Sequence, residues 1–419
     1  MSEAVPPLPP DLPPIDERVR RIVSAAYSRV LRIRERVTEL RFATPEDEAR
    51  LHALAGKRVL FLPNHPTVMD PPVMFGVSRI LGEPFRYVAM EELFEGAVGA
   101  LVARIGAFPV RRGMPDRAAL KKCQASLLIP GGKLVMFAEG EAHGQNDYLL
   151  PLNPGFAQVA FWAMEKLREA EGDEGADILL QPVVIKYRFV DGDDACKQII
   201  DGLEKVEHDL GITPEPNASL YRRIRDAALT ILAGIEQEYD IPLNVDADTD
   251  DRLAFLYSCL EARVVAMLRA PVPKETNLVH RMRTLFNAAY AYREKMDHGE
   301  TRYSHRLQER REWIADACLA DLRRVENFMG VGEKRLEADA TLEQISEMLV
   351  RLEVELYGDR RTRPLRDATI AMGEPFSANA RFDDYKSDKR KAVADVTADV
   401  ETRLRALLEG LQSVCTPAA

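Results

Sequence analysis

The amino-acid sequence predicts an α/β fold: a mostly parallel sheet flanked by helices, preceded by an N-terminal amphipathic helix and followed by a C-terminal all-helical region. Between residues 57 and 195, short apolar runs alternate with helical stretches, a pattern typical of parallel sheets covered on both faces. Beyond residue 195, the apolar spacing is helical almost throughout. We therefore expect four segments in the 419-residue chain: a disordered Pro-rich tail (1–15), an N-terminal helical segment (16–56), an α/β domain (57–195) and a helical region (196–419).

The N-terminal residues combine a proline-rich stretch with a basic helix. Proline at the density of residues 1–14 fits neither a helix interior nor a central strand, so we expect an extended, mobile tail. Residues 16–41 have apolar positions at helical spacing and are predicted to form one helix. An amphipathic helix of this composition fits an anionic membrane surface, although it also fits a packing helix with a solvated basic face. Its arginines are Arg18, Arg20, Arg21, Arg29, Arg32, Arg34, Arg36 and Arg41.

The α/β segment is divided into strands and helices by its glycines, prolines and apolar runs. Gly131-Gly132 precedes one strand and Pro63 ends another. The predicted strands are residues 58–62, 85–90, 107–110, 133–137 and 178–190, and the predicted helices are residues 71–81, 93–105, 116–128 and 154–171.

The second half of the chain has a weak functional signal and a strong helical one. Asp248, Thr249 and Asp250 are good N-caps for a helix that starts there. The predicted helices are residues 195–210, 220–239, 250–270, 274–298, 307–327, 341–356 and 383–411.

Composition excludes several classes of protein. A net charge of −10 argues against a general nucleic-acid binder. The five cysteines form no C-x-x-C, which argues against a zinc site or a disulfide framework and favours a reducing compartment. The N-terminus resembles neither a signal peptide nor an anchor, and no stretch of about 20 apolar residues is present. We expect a cytoplasmic protein with no metal or redox cofactor, which would meet any lipid at the membrane surface.

The segment Asn64-His65-Pro66-Thr67-Val68-Met69-Asp70 follows the first predicted strand of the α/β part. On a continuous helix, His65 and Asp70 would lie about 140° apart. Pro66 and Pro71-Pro72 argue against such a helix, and we expect His65 in a turn with Asp70 at the N-cap of the next helix. The turn would fold the carboxylate onto the imidazole and raise the basicity of its other nitrogen. This is the His-Asp half of a catalytic triad, with a substrate hydroxyl as the nucleophile.

Two further segments lie at predicted strand ends, and a third is itself a predicted strand. Arg111 and Arg112 follow a short strand and suit a phosphate. Glu139 and Gly140 follow a second strand at the carboxyl edge of the sheet, where open α/β sheets bind ligands. The third segment is an apolar strand that is interrupted by Pro182.

Together, these segments resemble the four sequence blocks of the glycerolipid and lysophospholipid acyltransferases, which include 1-acylglycerol-3-phosphate acyltransferases. Order and spacing agree over residues 57–190. The block N-H-x-x-x-x-D is matched by Asn64, His65 and Asp70. The block G-x-x-F-[IV]-x-R, here one residue shorter, is matched by Gly106, Phe108, Val110 and Arg111. The block F-P-E-G-T-R-S is matched by Phe137, Glu139 and Gly140, and the proline-containing strand is matched by Pro182.

The resemblance implies roles for these residues. His65 would be the general base, and Asp70 would orient it. Asn64, Arg111, Arg112, Glu139 and Gly140 would bind or shape the acceptor. The acceptor hydroxyl would attack the thioester of acyl-CoA or acyl-carrier protein directly, with no acyl-enzyme, and the partners would be this donor and a lipid acceptor.

Two departures from the family pattern leave the substrate open. Ala138 replaces the proline of the third block, and Ala142 stands where the family has an arginine tied to phosphate binding. A lysophospholipid or glycerol-phosphate-like acceptor is the leading hypothesis. A non-glycerol alcohol or amine is the second, and a helical binding protein with a degenerate acyltransferase domain is the third. Nothing in the sequence sets the oligomeric state.

Overall fold

The computed structural model describes residues 12–111, 116–173, 176–242, 247–275, 277–295, 300–328 and 340–412. By its internal contacts, the chain divides into two units. Within the described residues, the first unit covers residues 12–111, 116–190 and 365–412, and the second covers residues 191–364.

The first unit contains a mixed sheet with helices on its two faces. Its strands are β1 (Val37–Phe42), β2 (Val59–Pro63), β3 (Arg86–Met90), β4 (Ala107–Val110), β5 (Lys133–Val135), β6 (Leu179–Phe189), β7 (Arg366–Met372) and β8 (Phe376–Ser377). Its helices are α1 (Glu17–Arg34), α2 (Pro45–His52), α3 (Asp70–Leu81), α4 (Gly96–Arg104), α5 (Arg117–Leu128), α6 (Gly155–Glu171), α13 (Phe382–Ser387) and α14 (Lys389–Gly410), with 3₁₀ turns at Glu91–Phe94 and Asn379–Arg381.

The strand order is β1-β7-β6-β2-β5-β3-β4, with β8 paired to the start of β6. The strands β6, β2, β5, β3 and β4 run parallel to their neighbours, whereas β7 runs antiparallel to β6 and parallel to β1. The predicted fold class, a mostly parallel sheet flanked by helices, is confirmed. Because β2, β5 and β6 are in parallel register, their carboxyl ends meet at one edge of the sheet.

Alternation along the strands divides the apolar side chains between two core clusters. Leu60 and Leu62 of β2 pack on the face covered by α6 and α14, while Val59 and Phe61 pack on the opposite face against α1 and α3. All four side chains are fully buried. Burial on both faces explains why these strands appear in the sequence as continuous apolar runs.

The N-terminal prediction is wrong in two places. Residues 16–41 do not form one helix, because α1 ends at Arg34 and β1 begins at Val37. Arg36 has φ 57°, a left-handed conformation that ends the helix, and Val37 pairs with Arg366 of β7. Residues 12–15 are not a free tail, since Leu12 is buried and the Pro13 carbonyl accepts a hydrogen bond from Arg86. Residues 1–11 lie outside the described part.

The prediction of an all-helical region over residues 196–419 is also wrong. The strand β7 lies inside the sheet between β1 and β6, and α14 covers one face of the sheet through Val396, Val400 and Leu404. The β7 sequence, RDATIAM, is short and lacks the alternation of a half-buried strand because both of its faces are covered.

The second unit is helical in its described residues. Two bidentate ion pairs, Arg223 with Glu207 and Arg252 with Glu236, link successive helices through nearly buried carboxylates. No helix in the described part of the chain is long and apolar enough to cross a bilayer. The helices are α7 (Gly192–Leu210), α8 (Leu220–Glu238), α9 (Thr249–Leu268), α10 (Leu278–Glu294), α11 (Arg302–Phe328) and α12 (Leu342–Tyr357).

Candidate active site

His65 lies in a turn between β2 and α3, as the prolines predict. The predicted N-cap role of Asp70 is wrong: Asp70 is the first residue of α3, Met69 is the N-cap, and no side chain caps this helix. A capping side chain accepts from the N–H two or three residues later; Pro72 has no N–H, and the Val73 N–H donates to the Met69 carbonyl. The Asp70 carboxylate turns back into the loop instead.

The Asp70 carboxylate meets the imidazole of His65 there. His65 Nδ1 and Asp70 Oδ2 are 2.7 Å apart. Asp70 is fully buried, while the His65 side chain retains 14 % exposure. With Nδ1–H donating to the carboxylate, Nε2 carries the lone pair and is the atom able to accept a proton. The geometry is that of a base oriented by a buried acid.

Three more donors hold the Asp70 carboxylate. The Thr67 backbone N–H donates to Oδ2 over 2.9 Å, and the Thr67 hydroxyl donates to Oδ1 over 3.1 Å. The hydroxyl of Tyr187, which lies on β6, donates to Oδ1 over 2.7 Å. Each carboxylate oxygen therefore accepts two hydrogen bonds, which compensate for burial of the charge.

Tyr187 was not predicted from the sequence. Val183, Ile185 and Tyr187 alternate along β6 and pack in the same core cluster as α3. Burial raises the pKa of the Tyr187 hydroxyl well above its usual value, and the neighbouring Asp70 charge adds to this effect. The hydroxyl therefore stays protonated and acts as a donor. Period-two alternation could have placed Tyr187 on this face, but its contact with Asp70 depends on the pairing of β2 with β6.

Asn64 supports the strand next to it. Its side-chain amide donates to the Ile185 carbonyl over 3.1 Å and accepts from the Ile185 N–H over 2.7 Å. Asn146 forms the same pair of bonds with Tyr187, at 2.6 and 2.8 Å. Since the pairing of β2 with β6 ends at Pro63, these two amides satisfy β6 backbone groups beyond it. Asn64 is fully buried on these partners, and its predicted role in substrate binding stays a prediction.

Glu139 is also a supporting residue. Its Oε1 accepts from the His65 backbone N–H over 2.5 Å, and its Oε2 accepts from the Leu150 N–H over 2.6 Å. His143 Nε2 lies 3.1 Å from Oε2. Glu139 is fully buried on these partners, and its predicted role in binding or shaping the acceptor site stays a prediction. The Glu139 carboxylate fixes the backbone of the turn that carries His65.

The loop after Glu139 closes over the same turn. The Gly144 N–H donates to the Pro66 carbonyl over 2.9 Å. Phe137 stacks on the His65 ring, with centroids 4.2 Å apart and planes 25° apart. Gly140 has φ 80°, a backbone conformation that residues with a side chain rarely adopt. The space beside its Cα is open. Its predicted role in shaping the acceptor site stays a prediction.

Arg111 follows β4 at the same edge of the sheet. Its side chain is exposed and pairs with Glu91 over 3.1 Å, while its N–H donates to Asp116. In the strand order, β4 is three positions from β2, which corresponds to about 14 Å across the sheet. The structure therefore does not bring Arg111 into contact with His65, and its phosphate-binding role stays a prediction. Arg112 lies outside the described residues.

Over the part of the chain that the structure describes, no group of histidine, cysteine and carboxylate side chains is arranged to hold a metal ion. The expected absence of a metal or redox cofactor stays a prediction. The arrangement at this edge suits proton transfer through His65 Nε2.

Comparison with known families agrees with this geometry. The acyltransferase family model matches residues 39–186, a span that includes His65, Asp70, Glu139 and the part of β6 up to Lys186. No curated protein matches the chain. An acyltransferase domain carries out acyl-group transfer, and the matched span contains both members of the His-Asp pair. Residues 39–186 are therefore a domain of the acyltransferase family.

Proposed function

We propose that the protein transfers a fatty-acyl group from acyl-CoA or acyl-carrier protein to the hydroxyl of a lysophospholipid or glycerol-phosphate-like acceptor. The observation that carries the proposal is the contact of 2.7 Å between His65 and the fully buried Asp70, inside a domain of the acyltransferase family. A degenerate domain would have no need of a buried carboxylate held by four donors. We therefore set aside the hypothesis of a non-catalytic binding protein.

In the proposed mechanism, His65 Nε2 accepts the proton of the acceptor hydroxyl as the oxygen attacks the thioester carbonyl. The tetrahedral intermediate then collapses, the carbon–sulfur bond breaks, and the imidazolium returns the proton to the departing thiolate. Asp70 stabilises the imidazolium that forms between the two steps. General-base assistance of this kind contributes about 10²–10⁴ in rate.

The acceptor remains the open part of the proposal. Arg111 supplies an exposed positive charge at the sheet edge for an acceptor phosphate. Ala142, where the resembling family has an arginine, favours instead a second candidate, a non-glycerol alcohol or amine. A mass-spectrometric screen of lysophospholipids, glycerol phosphate and non-glycerol acceptors with one acyl-CoA and one acyl-carrier protein separates the two. Products from non-glycerol acceptors alone would exclude the leading candidate.

The role of His65 is tested by His65→Ala. We expect this variant to lose acyl transfer while keeping its fold. His208→Ala removes an exposed histidine from α7 and is the matched control. Wild-type transfer by purified His65→Ala would exclude the mechanism.

We also propose that the protein works in the cytoplasm at the membrane surface, and that α1 makes the contact. Tyr27 and Leu31 of α1 pack inward, and the opposite side exposes a separate apolar stripe. In this stripe, Ile22 and Ile33 are 70 % and 68 % exposed. One side of the stripe is flanked by exposed arginines without an acidic residue between them, a pattern that fits anionic lipid. These are Arg18, Arg21, Arg29 and Arg32.

Flotation with phosphatidylglycerol vesicles tests this contact. Ile22→Ser with Ile33→Ser should weaken vesicle binding by about tenfold, because the exposed isoleucines lose their hydrocarbon contact. Tyr303→Ser with Trp313→Ser removes equally exposed side chains from α11 and is the control. Unchanged binding of the α1 variant, or equal loss in both variants, would exclude α1 as the contact.

A further inference from the structure

The Tyr187 hydroxyl forms a hydrogen bond with Asp70, the residue that orients His65. Its hydroxyl donates to Asp70 Oδ1 over 2.7 Å, on the opposite carboxylate oxygen from His65. Tyr187 is 3 % exposed and Asp70 is fully buried, so water does not replace this hydrogen bond. The bond links the middle of the sheet to the turn that carries His65.

Polar and charged groups from three elements surround Tyr187, Asp70 and His65. From the turn, Thr67 donates its N–H and hydroxyl to Asp70. From β7, the Arg366 guanidinium lies 4.1 Å from the centre of the Tyr187 ring. From the loop after β5, the Glu139 carboxylate holds the His65 N–H and lies 3.1 Å from His143. Among the described residues, Tyr187 is the only titratable side chain besides His65 that forms a hydrogen bond with Asp70.

We propose that Tyr187 is a positioning residue that sets the proton affinity of the His65–Asp70 pair, an inference that rests on the proposed role of His65 as the base. A hydrogen bond to a carboxylate stabilises its charge and weakens its pull on a proton. Asp70 therefore binds the imidazolium less tightly than a bare buried carboxylate would.

The direction of the effect follows from this balance. Removing the Tyr187 hydroxyl leaves Asp70 with one donor fewer, which favours protonation of the neighbouring His65. The pH at which His65 takes up a proton should rise by about one unit in Tyr187→Phe, since loss of one charge-assisted hydrogen bond changes a protonation equilibrium by about tenfold. A hydroxyl with a purely structural role would change stability and leave this pH unmoved.

Histidine NMR measures this pH in the full-length protein without any substrate. Of the seven histidines, His65 is assigned by the resonance lost in His65→Gln. Tyr27→Phe is the control, because Tyr27 is a buried tyrosine of the same core cluster that does not contact Asp70. A rise of half a unit or more in Tyr187→Phe alone supports the inference. A smaller rise, a fall, or an equal rise in Tyr27→Phe overturns it.

Two further measurements keep the test decisive. Should Tyr187→Phe not fold, replacement of the tyrosines by 3-fluorotyrosine strengthens the donor while keeping the ring, and the same pH should then fall; a rise or no change would overturn the inference. In acyl-transfer assays, the acidic limb of the kcat/KM profile should move upward in Tyr187→Phe by the NMR increment. Absence of acyl transfer in the wild-type protein would refute the proposed function, whereas the NMR result alone decides the inference about Tyr187.

Discussion

Replacement of Asp70 by asparagine would remove the charge of the catalytic pair while keeping its shape. The two partners on Oδ1 are hydroxyls, from Tyr187 and Thr67, and a hydroxyl can rotate to accept a hydrogen bond instead of donating one. The two partners on Oδ2 are the Thr67 N–H and His65 Nδ1, which donate. The amide should therefore place its oxygen toward His65 and its NH₂ toward the hydroxyls. The tautomer of His65 is preserved in this arrangement.

The expected loss of rate comes from the missing charge. Two unit charges about 4 Å apart interact by about 4 kcal/mol at the effective dielectric constant of about 20 that suits such sites. This energy corresponds to a factor of about 10³ in rate, because about 1.4 kcal/mol changes a rate tenfold. Partial exposure of His65 reduces the effect, so we expect kcat/KM in Asp70→Asn to fall by about 10²–10³ with KM nearly unchanged.

Steady-state acyl-transfer kinetics and thermal unfolding measure the two parts of this prediction. Asp47→Asn is the control, because Asp47 is a buried carboxylate of the same unit that bonds to Thr44 and Met372 and not to His65. A loss of less than fivefold in Asp70→Asn would refute the role of its charge. A large drop in Tm in Asp70→Asn, with little in Asp47→Asn, would refute the argument that the hydroxyls accommodate the amide.

The remaining predictions concern stability and reactivity. Asn64→Ala leaves the buried N–H and C=O of Ile185 without their partners, so we expect a loss of about 2–4 kcal/mol in the free energy of unfolding by urea. Asn146→Ala should cost a similar amount through Tyr187, and a loss below about 1 kcal/mol in both would contradict the strand-completion role. Burial raises the pKa of the Cys123 thiol to about 12, so iodoacetamide at pH 8 should label it only after unfolding, as mass spectrometry would show; rapid labelling of the folded protein would contradict its burial.

The sequence predicted the parallel core of the sheet well because those strands are buried on both faces and separated by amphipathic helices. The strand predicted at residues 107–110 coincides with β4. The strands β1 and β7 were missed for a physical reason. They pair with each other across more than 300 residues of chain, Val37 with Arg366, so neither is identifiable from its own neighbourhood. Their pairing in the sheet, and not a local sequence pattern, makes them strands.

In the site too, the local contacts were predicted and the contacts between distant parts of the chain were missed. The contact between His65 and Asp70 is local, and the prolines around it were enough to predict a turn in place of a helix. The contacts of Asp70 with Tyr187, and of the His65 N–H with Glu139, join different strands. They depend on the order β6-β2-β5, which the sequence does not specify.

Burial of the motif residues explains why the family resemblance predicts the reaction better than the substrate. Asn64, Asp70 and Glu139 are fully buried, and their hydrogen bonds go to the protein around His65. Such residues constrain where the His65 imidazole lies and how it is oriented, whichever acceptor the site takes. Selection of the acceptor must then depend on groups at the sheet edge that remain accessible. Among the described residues these include Arg111 and the open space beside Gly140, and the substitution at Ala142 is in the same loop as Gly140.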